Sequence, residues 1–494
     1  MSSRGEQMGG GNVATAQSSE KEEESIEITP KDEEHPKGAR LAFIVTALVL
    51  SVFLSSLDIT IVATAIPKIT DEFHGLDKAS WYGSAFFLTS GSFQASWGKA
   101  YKYFDLKWTF LTAIVVFELG SLVCGVAPNS NALIVGRAIA GAGTAGMGTG
   151  GYTIIAYIVE PVKRPAYTGL IGLSYCLASV AGPLLGGAIT TATTWRWSHV
   201  TILIILFYFY TPPLAKPITA TWKEKFLQAD FVGVALILGA LVSYSLATQY
   251  GGQTKAWNSS TVIGLLVGFV LLVGLGMLIP RLLRQRHVAA GSVFAFLFAG
   301  SYYLTIYYLP VYFQSVDGAS PIISGVDTLP LILAAAVAVI SAGLFISKTC
   351  HAVPVQVVSA IIATVGSGLL YTLDLGTPTG NWIGYQVIAA LGWGAGFQIP
   401  VIICQALARP EDIPSLTAII LCVDPSLVVS TGALQIHSAF PKDQIPGVLV
   451  AYMAGIKVVF AIGLAACGIS FIVSLLGGWQ RLSAEARKGT GAVV

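Results

Sequence analysis

The sequence predicts an all-α membrane protein with about fourteen membrane-spanning helices, and three observations support this. Of its 494 residues, 54% are hydrophobic and only 11% are charged, whereas roughly 25% of the residues in soluble domains are charged. The apolar residues are collected in runs close to the roughly 20 residues that a helix needs to cross a bilayer. Lys and Arg residues are concentrated in every second connection between these runs, which is the charge pattern of a multi-pass protein.

Two of the apolar runs are weaker than the rest. The run at 199–213 is short, and the run at 414–436 carries Asp424 and Pro425 in its middle, where a charge and a helix-breaking proline both oppose insertion. We therefore expect the sixth and the thirteenth span to be shortened. In chain order the runs lie at about 41–66, 79–97, 108–127, 131–158, 166–192, 199–213, 229–250, 260–279, 288–313, 322–346, 353–373, 382–407, 414–436 and 451–476.

The charge distribution predicts the orientation of the chain. With the amino terminus in the cytosol, nineteen Lys and Arg residues fall in cytosolic segments and five in segments on the opposite side. The orientation of the last two spans depends on the run at 414–436. If that run does not cross the membrane, the basic carboxyl-terminal tail ends outside.

A sequon for N-glycosylation, Asn258-Ser259-Ser260, falls in a loop on the outer side. One alternative is that Asn258 is glycosylated. The other is that the site stays unmodified because it is close to the membrane.

These runs predict two bundles of six spans each, with the seventh and eighth spans inserted between them. The amino-terminal residues are polar and include an acidic run at 20–24, a composition typical of disorder. No cleavable signal is present, so we expect the first span to serve as the targeting signal. The predicted parts are a disordered cytosolic tail at 1–40, an N-terminal six-helix bundle at 41–213, two linking spans with cytosolic loops at 214–287, a C-terminal helix bundle at 288–480 and a cytosolic tail at 481–494.

The sequence does not contain the motifs of an enzyme. The six cysteines have no metal-ligand or disulfide spacing, and there is no phosphate-binding loop and no nucleophile elbow. The formal net charge of +2 is too small to suggest a nucleic-acid partner. We therefore expect no enzyme activity, no cofactor and no metal, and a monomer in the lipid bilayer.

Charged residues inside the predicted spans are the first candidates for function, because a charge at that depth costs roughly 2.5–3.5 kcal/mol. Asp58 in the first span shares a helix face with Ser51 and Ser55, which predicts the polar lining of a cavity. The alternative is a carboxylate held in a structural hydrogen bond. Glu118 and Lys457 are lone charges in apolar surroundings, for which we favour a structural or interfacial role.

Arg137 lies early in the fourth span, with Gly141 and Gly148 on roughly the same helix face. These glycines let a neighbouring helix approach closely, which places the arginine in a low-dielectric environment. A guanidinium there makes the protonation of a nearby carboxylate depend on conformation, as coupling to a proton flux requires. The alternative is an arginine with a purely structural role.

The fifth predicted span carries Gly182, Pro183, Gly186 and Gly187 in its middle. The proline removes a backbone hydrogen bond and the glycines allow backbone contact with a second helix. We expect this segment to pack tightly against a neighbour and to bend.

Two groups of residues are candidates for the wall of a substrate cavity. Tyr302 and Tyr303 belong to the aromatic ninth span, which either stacks on planar compounds or forms an interfacial aromatic belt. Gln398 and Gln405 share a face of the twelfth span next to Pro400, and they line a cavity or join neighbouring helices.

Four motifs resemble those of the fungal fourteen-span drug:proton antiporters of the major facilitator superfamily. The segment Leu57–Pro67 resembles the first-span motif, and Leu133–Gly143 resembles the fourth-span motif, whose arginine is implicated in proton coupling. The segment Gly182–Gly187 resembles the motif that distinguishes antiporters, and Trp195–Trp197 follows it. The resemblance covers nearly all of residues 40–480.

This resemblance implies the major facilitator fold, with two six-helix bundles that alternate between inward and outward openings and two inserted central spans. It implicates Arg137 in proton coupling, and our hypothesis is that Asp58 takes part with it. It also implies a cytosolic gate loop that includes Gly98, Lys102 and Lys107. The general family pattern has an aspartate at the position of Lys102 and a glycine at that of Asp105, so the charges of this gate differ here.

The expected function is proton-coupled export of small apolar compounds such as a toxin, a drug or a secondary metabolite. We expect the protein in the plasma membrane, with a vacuolar or vesicle membrane as the alternative. Two other functions stay open at this point. One is proton-symport uptake of a nutrient or an iron chelate on the same fold. The other is a degraded paralogue that does not transport, for which the two shortened spans are the evidence.

Overall fold

The computed structural model of the protein describes residues 36–74, 78–192, 221–227, 230–252, 254–278, 285–422 and 445–476. These residues form α-helices joined by short connections, with one 3-10 helix at Pro410–Asp412. The α-helices are α1 (Ala39–Phe73), α2 (Ala79–Tyr103), α3 (Leu106–Gly125), α4 (Ser130–Ile158), α5 (Arg164–Ala192), α6 (Trp222–Leu227), α7 (Phe231–Tyr250), α8 (Ser260–Leu278), α9 (Arg286–Ser315), α10 (Pro321–Asp327), α11 (Leu329–Thr349), α12 (Ala352–Tyr371), α13 (Thr379–Gly396), α14 (Ile399–Leu407), α15 (Ile413–Cys422) and α16 (Ile445–Leu476).

Eight of the described helical segments are long and apolar enough to cross a membrane. They are formed by α1, α3, α7, α9, α11, α12, α16 and the pair α13 and α14. Helices α2, α4 and α5 have the length as well, at 25, 29 and 29 residues, but carry more glycine and hydroxyl side chains. The weak run at 199–213 and most of the run at 414–436 lie outside the described residues, so the number of fourteen spans stays a prediction.

The first five helices pack around α4, which contacts both α2 and α3, while α1 packs on α5. Helices α3 and α4 meet at backbone contact. A Cβ atom at Gly136 would lie 2.8 Å from the amide nitrogen of Cys124, so the position has no room for a side chain. Phe110 and Phe117 are fully buried in the core beside this contact. In a membrane such close packing replaces the hydrophobic effect as the source of helix association.

Helices α9, α11, α12, α13 and α16 form a second bundle, in which α12 packs on α13 and α16, and α9 packs on α16. The predicted span at 382–407 is interrupted here. Helix α13 ends at Gly396 and α14 begins at Ile399, because Pro400 lacks an amide hydrogen and its ring clashes with the carbonyl one turn earlier.

The two bundles meet mainly along two pairs of helices, α5 with α11 and α2 with α15, and α15 itself packs on α9 of the second bundle. Helices α7 and α8 pack on each other, and α7 also packs on α2. Asp230 joins these parts: its carboxylate caps α7 by accepting a hydrogen bond from the Gly233 amide at 3.2 Å and lies 3.2 Å from the Lys99 ammonium of α2. The inserted helices are thus attached to a helix of the bundle interface.

Candidate functional site

A buried ion pair lies at the centre of the first bundle. Arg137 of α4 donates a hydrogen bond from Nη1 to Oδ2 of Asp58 on α1. The two side chains are only 1% and 4% exposed. Sequence analysis selected both residues separately, and the fold brings them together across 79 positions of the chain.

The rest of the guanidinium group is held by α2. Its Nε donates to the carbonyl oxygen of Tyr82 at 3.0 Å, and its Cζ lies 4.3 Å from the centre of the Phe86 ring. Gly141, one turn beyond Arg137, makes this possible, because a Cβ atom there would overlap the Phe86 carbonyl group and the Thr89 hydroxyl. The arginine therefore joins α1, α2 and α4. Gly148 has more room: the nearest atoms to its Cβ position are 3.9 Å away.

The pair is suited to respond to a proton. Each charge alone is expensive in the bilayer, and pairing offsets that cost only while both partners remain charged. Arginine does not lose its proton in proteins, whereas a carboxylate does gain one. Protonation of Asp58 therefore changes the balance of interactions that hold three helices together. Ser51 and Ser55 do not extend the polar site, since their hydroxyls donate to the carbonyls of Ala47 and Val52 at 2.8 and 3.0 Å.

Gly182 of α5 lies against α1 at Thr60, two residues beyond Asp58. A Cβ atom at Gly182 would overlap the hydroxyl of Thr60, which itself donates to the Ala178 carbonyl at 3.1 Å. The helix continues through Pro183 to Ala192. The surroundings of Pro183, Gly186 and Gly187 lie outside what the structure describes.

Close contacts join the bundles at the end that the charge distribution places in the cytosol, which we call the cytosolic end. A Cβ atom at Gly98 of α2 would lie 2.9 Å from the carbonyl oxygen of Pro414. At Gly343 of α11 it would lie 2.6 Å from the carbonyl oxygen of Pro165. The Ala166 amide donates to the Ser347 hydroxyl at 3.1 Å. The cytosolic end is therefore closed in this conformation.

Polar contacts reinforce this closure. The Lys102 ammonium lies 2.8 Å from Oδ1 of Asp412, which precedes α15, with both side chains about one-fifth exposed. The Tyr157 hydroxyl donates to the Pro410 carbonyl at 2.6 Å. Lys102 thus joins the two bundles directly. Asp105 has a local role, because its carboxylate caps α3, and Lys107 lies in the first turn of that helix with Nζ 5.8 Å from the centre of the Trp108 ring.

The aromatic residues of α9 face a second aromatic group on α13. The ring centre of Tyr302 lies 5.8 Å from that of Trp393 and 6.0 Å from that of Phe397, in edge-to-face arrangements. Tyr303 lies 6.5 Å from Phe397 in the same geometry. Gln398 follows immediately, and its buried Nε2 has no hydrogen-bond partner among the described residues. The Trp393 Nε1 is buried without a hydrogen-bond partner among the described residues as well. Apolar rings with a few such polar groups are a typical composition for a small-molecule site.

Gln405 does not share this surface. Its Nε2 donates to the Thr417 hydroxyl at 3.0 Å and points to the Tyr152 carbonyl at 3.4 Å. It therefore joins α14 to α15 and α4. Of the two alternatives given by the sequence, this contact corresponds to helix packing.

Two further candidates lie at the opposite end of the molecule. Lys457 of α16 pairs with Asp374 at 2.7 Å, and this hydrogen bond holds the pKa of the Asp374 carboxyl below its usual range. Asn258 is exposed in the turn before α8, and its glycosylation stays a prediction. Among the described residues no group of three or more His, Cys, Asp and Glu side chains is placed to hold a metal ion.

Sequence reasoning did not select Trp393, Phe397 or Asp412. Trp393 and Phe397 are spaced by four residues, so the helical period alone places them on one face next to Gln398. No local pattern identifies Asp412 as the partner of Lys102, because the two are 310 positions apart.

Two packed bundles of apolar helices, one of which holds a buried ion pair, are the architecture of a membrane transporter. Residues 48–423 match the Major Facilitator Superfamily, and the chain belongs to this superfamily. It is 49% identical to the MFS-type transporter grgE of a Penicillium species over 92% of this chain and 90% of the relative. It is 44% identical to the probable efflux pump gsfJ of Penicillium aethiopicum, over 93% of this chain and 92% of that relative.

A more distant relative and two solved structures agree with this assignment. The dehydrocurvularin exporter of Aspergillus terreus is 34% identical over 96% of this chain and 91% of its own length. The human organic anion transporter MFSD10 superposes with a TM-score of 0.61 at 14% identity, over 88% of this chain and 99% of that one. The proton:xylose symporter XylE gives 0.59 at 13% identity, over 90% and 99%. The two structures show the fold, and the protein is a multi-pass membrane protein.

Proposed function

We propose that this protein is a proton-coupled secondary transporter that exports small, largely apolar metabolites from the cell. The observation that carries the proposal is the buried pair of Asp58 and Arg137, a proton acceptor and a fixed positive charge in the core of one bundle. The names of fungal relatives, which include efflux pumps and an exporter, support the direction of transport. We place the protein in the plasma membrane as a monomer.

The coupling follows from the helices that the pair holds. A proton from the outer side binds to the Asp58 carboxylate and converts the ion pair into a contact between a neutral acid and a cation, which weakens the attachment of α1 to α4. Helix α1 packs on α5, and α2, which also holds Arg137, packs on α15. Both neighbours are at the bundle interface. The proton leaves toward the cytosol when Arg137 pairs with the carboxylate again.

The aromatic group on α9 and α13 supports a substrate with flat apolar rings. Edge-to-face contacts with Tyr302 and Phe397 favour such rings, and the unpaired Nε2 of Gln398 favours a carbonyl or hydroxyl oxygen as its acceptor. A buried donor without a partner costs about 1–3 kcal/mol, and a substrate oxygen would recover part of it. An oxygenated aromatic metabolite meets both conditions.

A vesicle assay tests the coupling. The purified protein is reconstituted with rhodamine 6G, a planar aromatic dye, and the membrane potential is clamped. We expect an imposed pH gradient to drive the dye toward the acidic side, and a protonophore to stop it. Dye movement that is the same with and without the gradient contradicts proton coupling.

The gate pair gives a second prediction. The reversal Lys102→Asp places two like charges at the cytosolic end, and because both side chains are partly exposed we expect a cost of up to about 1 kcal/mol. The population of the closed conformation then falls by a factor of up to about five. We expect the initial rate of dye transport to fall by a similar factor. The double reversal Lys102→Asp with Asp412→Lys restores the pair and most of the rate. If the double variant is slower than Lys102→Asp alone, the pair is not a closing contact.

A further inference from the structure

Glu118 of α3 is a membrane-embedded carboxyl group that the ion pair does not use. Its Oε1 is buried and has no hydrogen-bond partner among the described residues. Ser121 lies three residues later on the same face of α3, is only 1% exposed, and its hydroxyl also has no partner there. Serines in helices usually donate to a carbonyl of the preceding turn, so two adjacent unsatisfied groups mark a polar site inside the bundle.

This site lies near the ion pair, one to two helical turns deeper in the bundle. Helices α3 and α4 are antiparallel, and a Cβ atom at Gly143 would overlap the backbone of Phe117, the residue before Glu118. Glu118 therefore lies opposite a point on α4 that is five residues beyond Arg137, about 7 Å away along the helix axis. Asp58 is still close enough to act electrostatically on Glu118.

The polar and titratable groups on the helices near Glu118 form hydrogen bonds with other partners. Arg137 of α4 donates to Asp58 and to the Tyr82 carbonyl. The Tyr82 hydroxyl of α2 pairs with Ser130 at 2.8 Å. Cys124, another titratable group of α3, lies six residues beyond Glu118 and points to the Leu133 carbonyl at 3.7 Å. No described cation forms an ion pair with Glu118, while the carboxylate of Asp58 on α1 repels a negative charge there.

An unpaired carboxylate at this depth is costly, and a carboxylic acid is not. We propose that Glu118 is a second proton-binding site of the coupling cluster, occupied by a proton while the cytosolic end is closed. The proton adds to a carboxylate oxygen from the outer side, next to the Ser121 hydroxyl. It is released to water at the cytosolic side after the bundles rearrange. This inference rests on the proposed proton-coupled export.

Infrared spectroscopy of the purified protein in lipid vesicles tests the proposal without any substrate. A protonated carboxylic acid has a carbonyl stretching band that a carboxylate lacks. At neutral pH we expect such a band in the wild type, its loss in Glu118→Gln and its return in Glu118→Asp. Lys457→Gln, which removes another charge from a span, serves as the control and keeps the band. A band of equal size in wild type and Glu118→Gln overturns the proposal.

The number of coupled protons provides a second readout with rhodamine 6G. With the potential clamped, one unit of pH difference supports a dye gradient of up to about 100-fold for two protons and about 10-fold for one, because each proton contributes about 1.4 kcal/mol. In Glu118→Gln we expect the limiting dye gradient to fall from about 100-fold toward about 10-fold. A wild type that forms no gradient contradicts proton-coupled export itself. A wild type and a Glu118→Gln variant with equal gradients contradict only the role of Glu118.

Discussion

Asp58→Asn is expected to abolish proton-driven export and to destabilise the protein by about 3–5 kcal/mol, the usual cost of removing one partner of a buried ion pair. Asparagine has nearly the same shape as aspartate but cannot carry the proton. It also leaves the charge of Arg137, which is only 1% exposed, without a counterion. Transport of rhodamine 6G should fall to the passive leak of protein-free vesicles.

Arg137→Met is expected to stop coupling at a smaller cost in stability. The arginine in Asp58→Asn stays charged at every accessible pH, whereas the aspartate in Arg137→Met becomes neutral by binding a proton. The two single variants should therefore differ in their unfolding temperature, with Asp58→Asn the less stable. This difference should narrow as the pH is raised, because a higher pH removes the proton on which the stability of Arg137→Met depends, whereas Asp58→Asn keeps its charged arginine throughout.

The double variant Asp58→Asn with Arg137→Met separates folding from transport. It contains neither charge, so most of the lost stability should return, while export stays at the level of the leak. Asp374→Asn is the matched control, because it removes one partner of a largely exposed pair and such pairs contribute about 0–1 kcal/mol. Export by the double variant at the wild-type rate would show that the pair serves the fold alone.

The residues of this pair were accessible from the sequence, but their contact was not. A charged residue within an apolar run is visible in the sequence itself, and the helical period shows which residues share its face of the helix. Which faces meet depends on how α1, α2 and α4 pack, and that is decided by small residues such as Gly141 together with the distant segments that they contact.

The glutamines of the twelfth span show the same limit. Helix α14 is continuous from Ile399 to Leu407 and Gln398 is its first flanking residue, so Gln398 and Gln405 share a face, as their spacing predicts. The surroundings along that face differ, because Gln405 contacts α4 and α15 whereas Gln398 has no hydrogen-bond partner for its Nε2 among the described residues. Which helices lie opposite each glutamine depends on the packing of distant segments, so the role of Gln405 needed the structure.

The glycines of the cytosolic end give the second large prediction. Gly343→Leu should prevent closure of that end, because even a Cβ atom would lie 2.6 Å from the Pro165 carbonyl oxygen, a fixed backbone atom. Gly98→Leu should act in the same way from the other bundle, against Pro414. Overpacking of this kind costs about 1–3 kcal/mol or more. Since it acts only where the bundles meet, each bundle should still fold and insert.

Accessibility from the cytosolic side measures closure directly. In a background with Cys350→Ser, a cysteine introduced by Ser347→Cys lies at the contact with Ala166 and should react slowly with a charged maleimide. We expect Gly343→Leu and Gly98→Leu to raise that rate about tenfold or more, since about 1.4 kcal/mol corresponds to a factor of ten, and to stop dye export.

Gly274→Leu in α8 is the control for both substitutions, because no other atom lies within 4 Å of its Cβ position. It should leave labelling and export unchanged. If both gate variants label like this control and still export, the close contacts at Gly98 and Gly343 are incidental to the transport cycle. If both label rapidly and neither exports, closure of the cytosolic end is a required step. A change at the ion pair then acts on a defined part of the molecule. Asp58 and Arg137 are connected to the cytosolic end because α1 packs on α5 and Arg137 is held by α2.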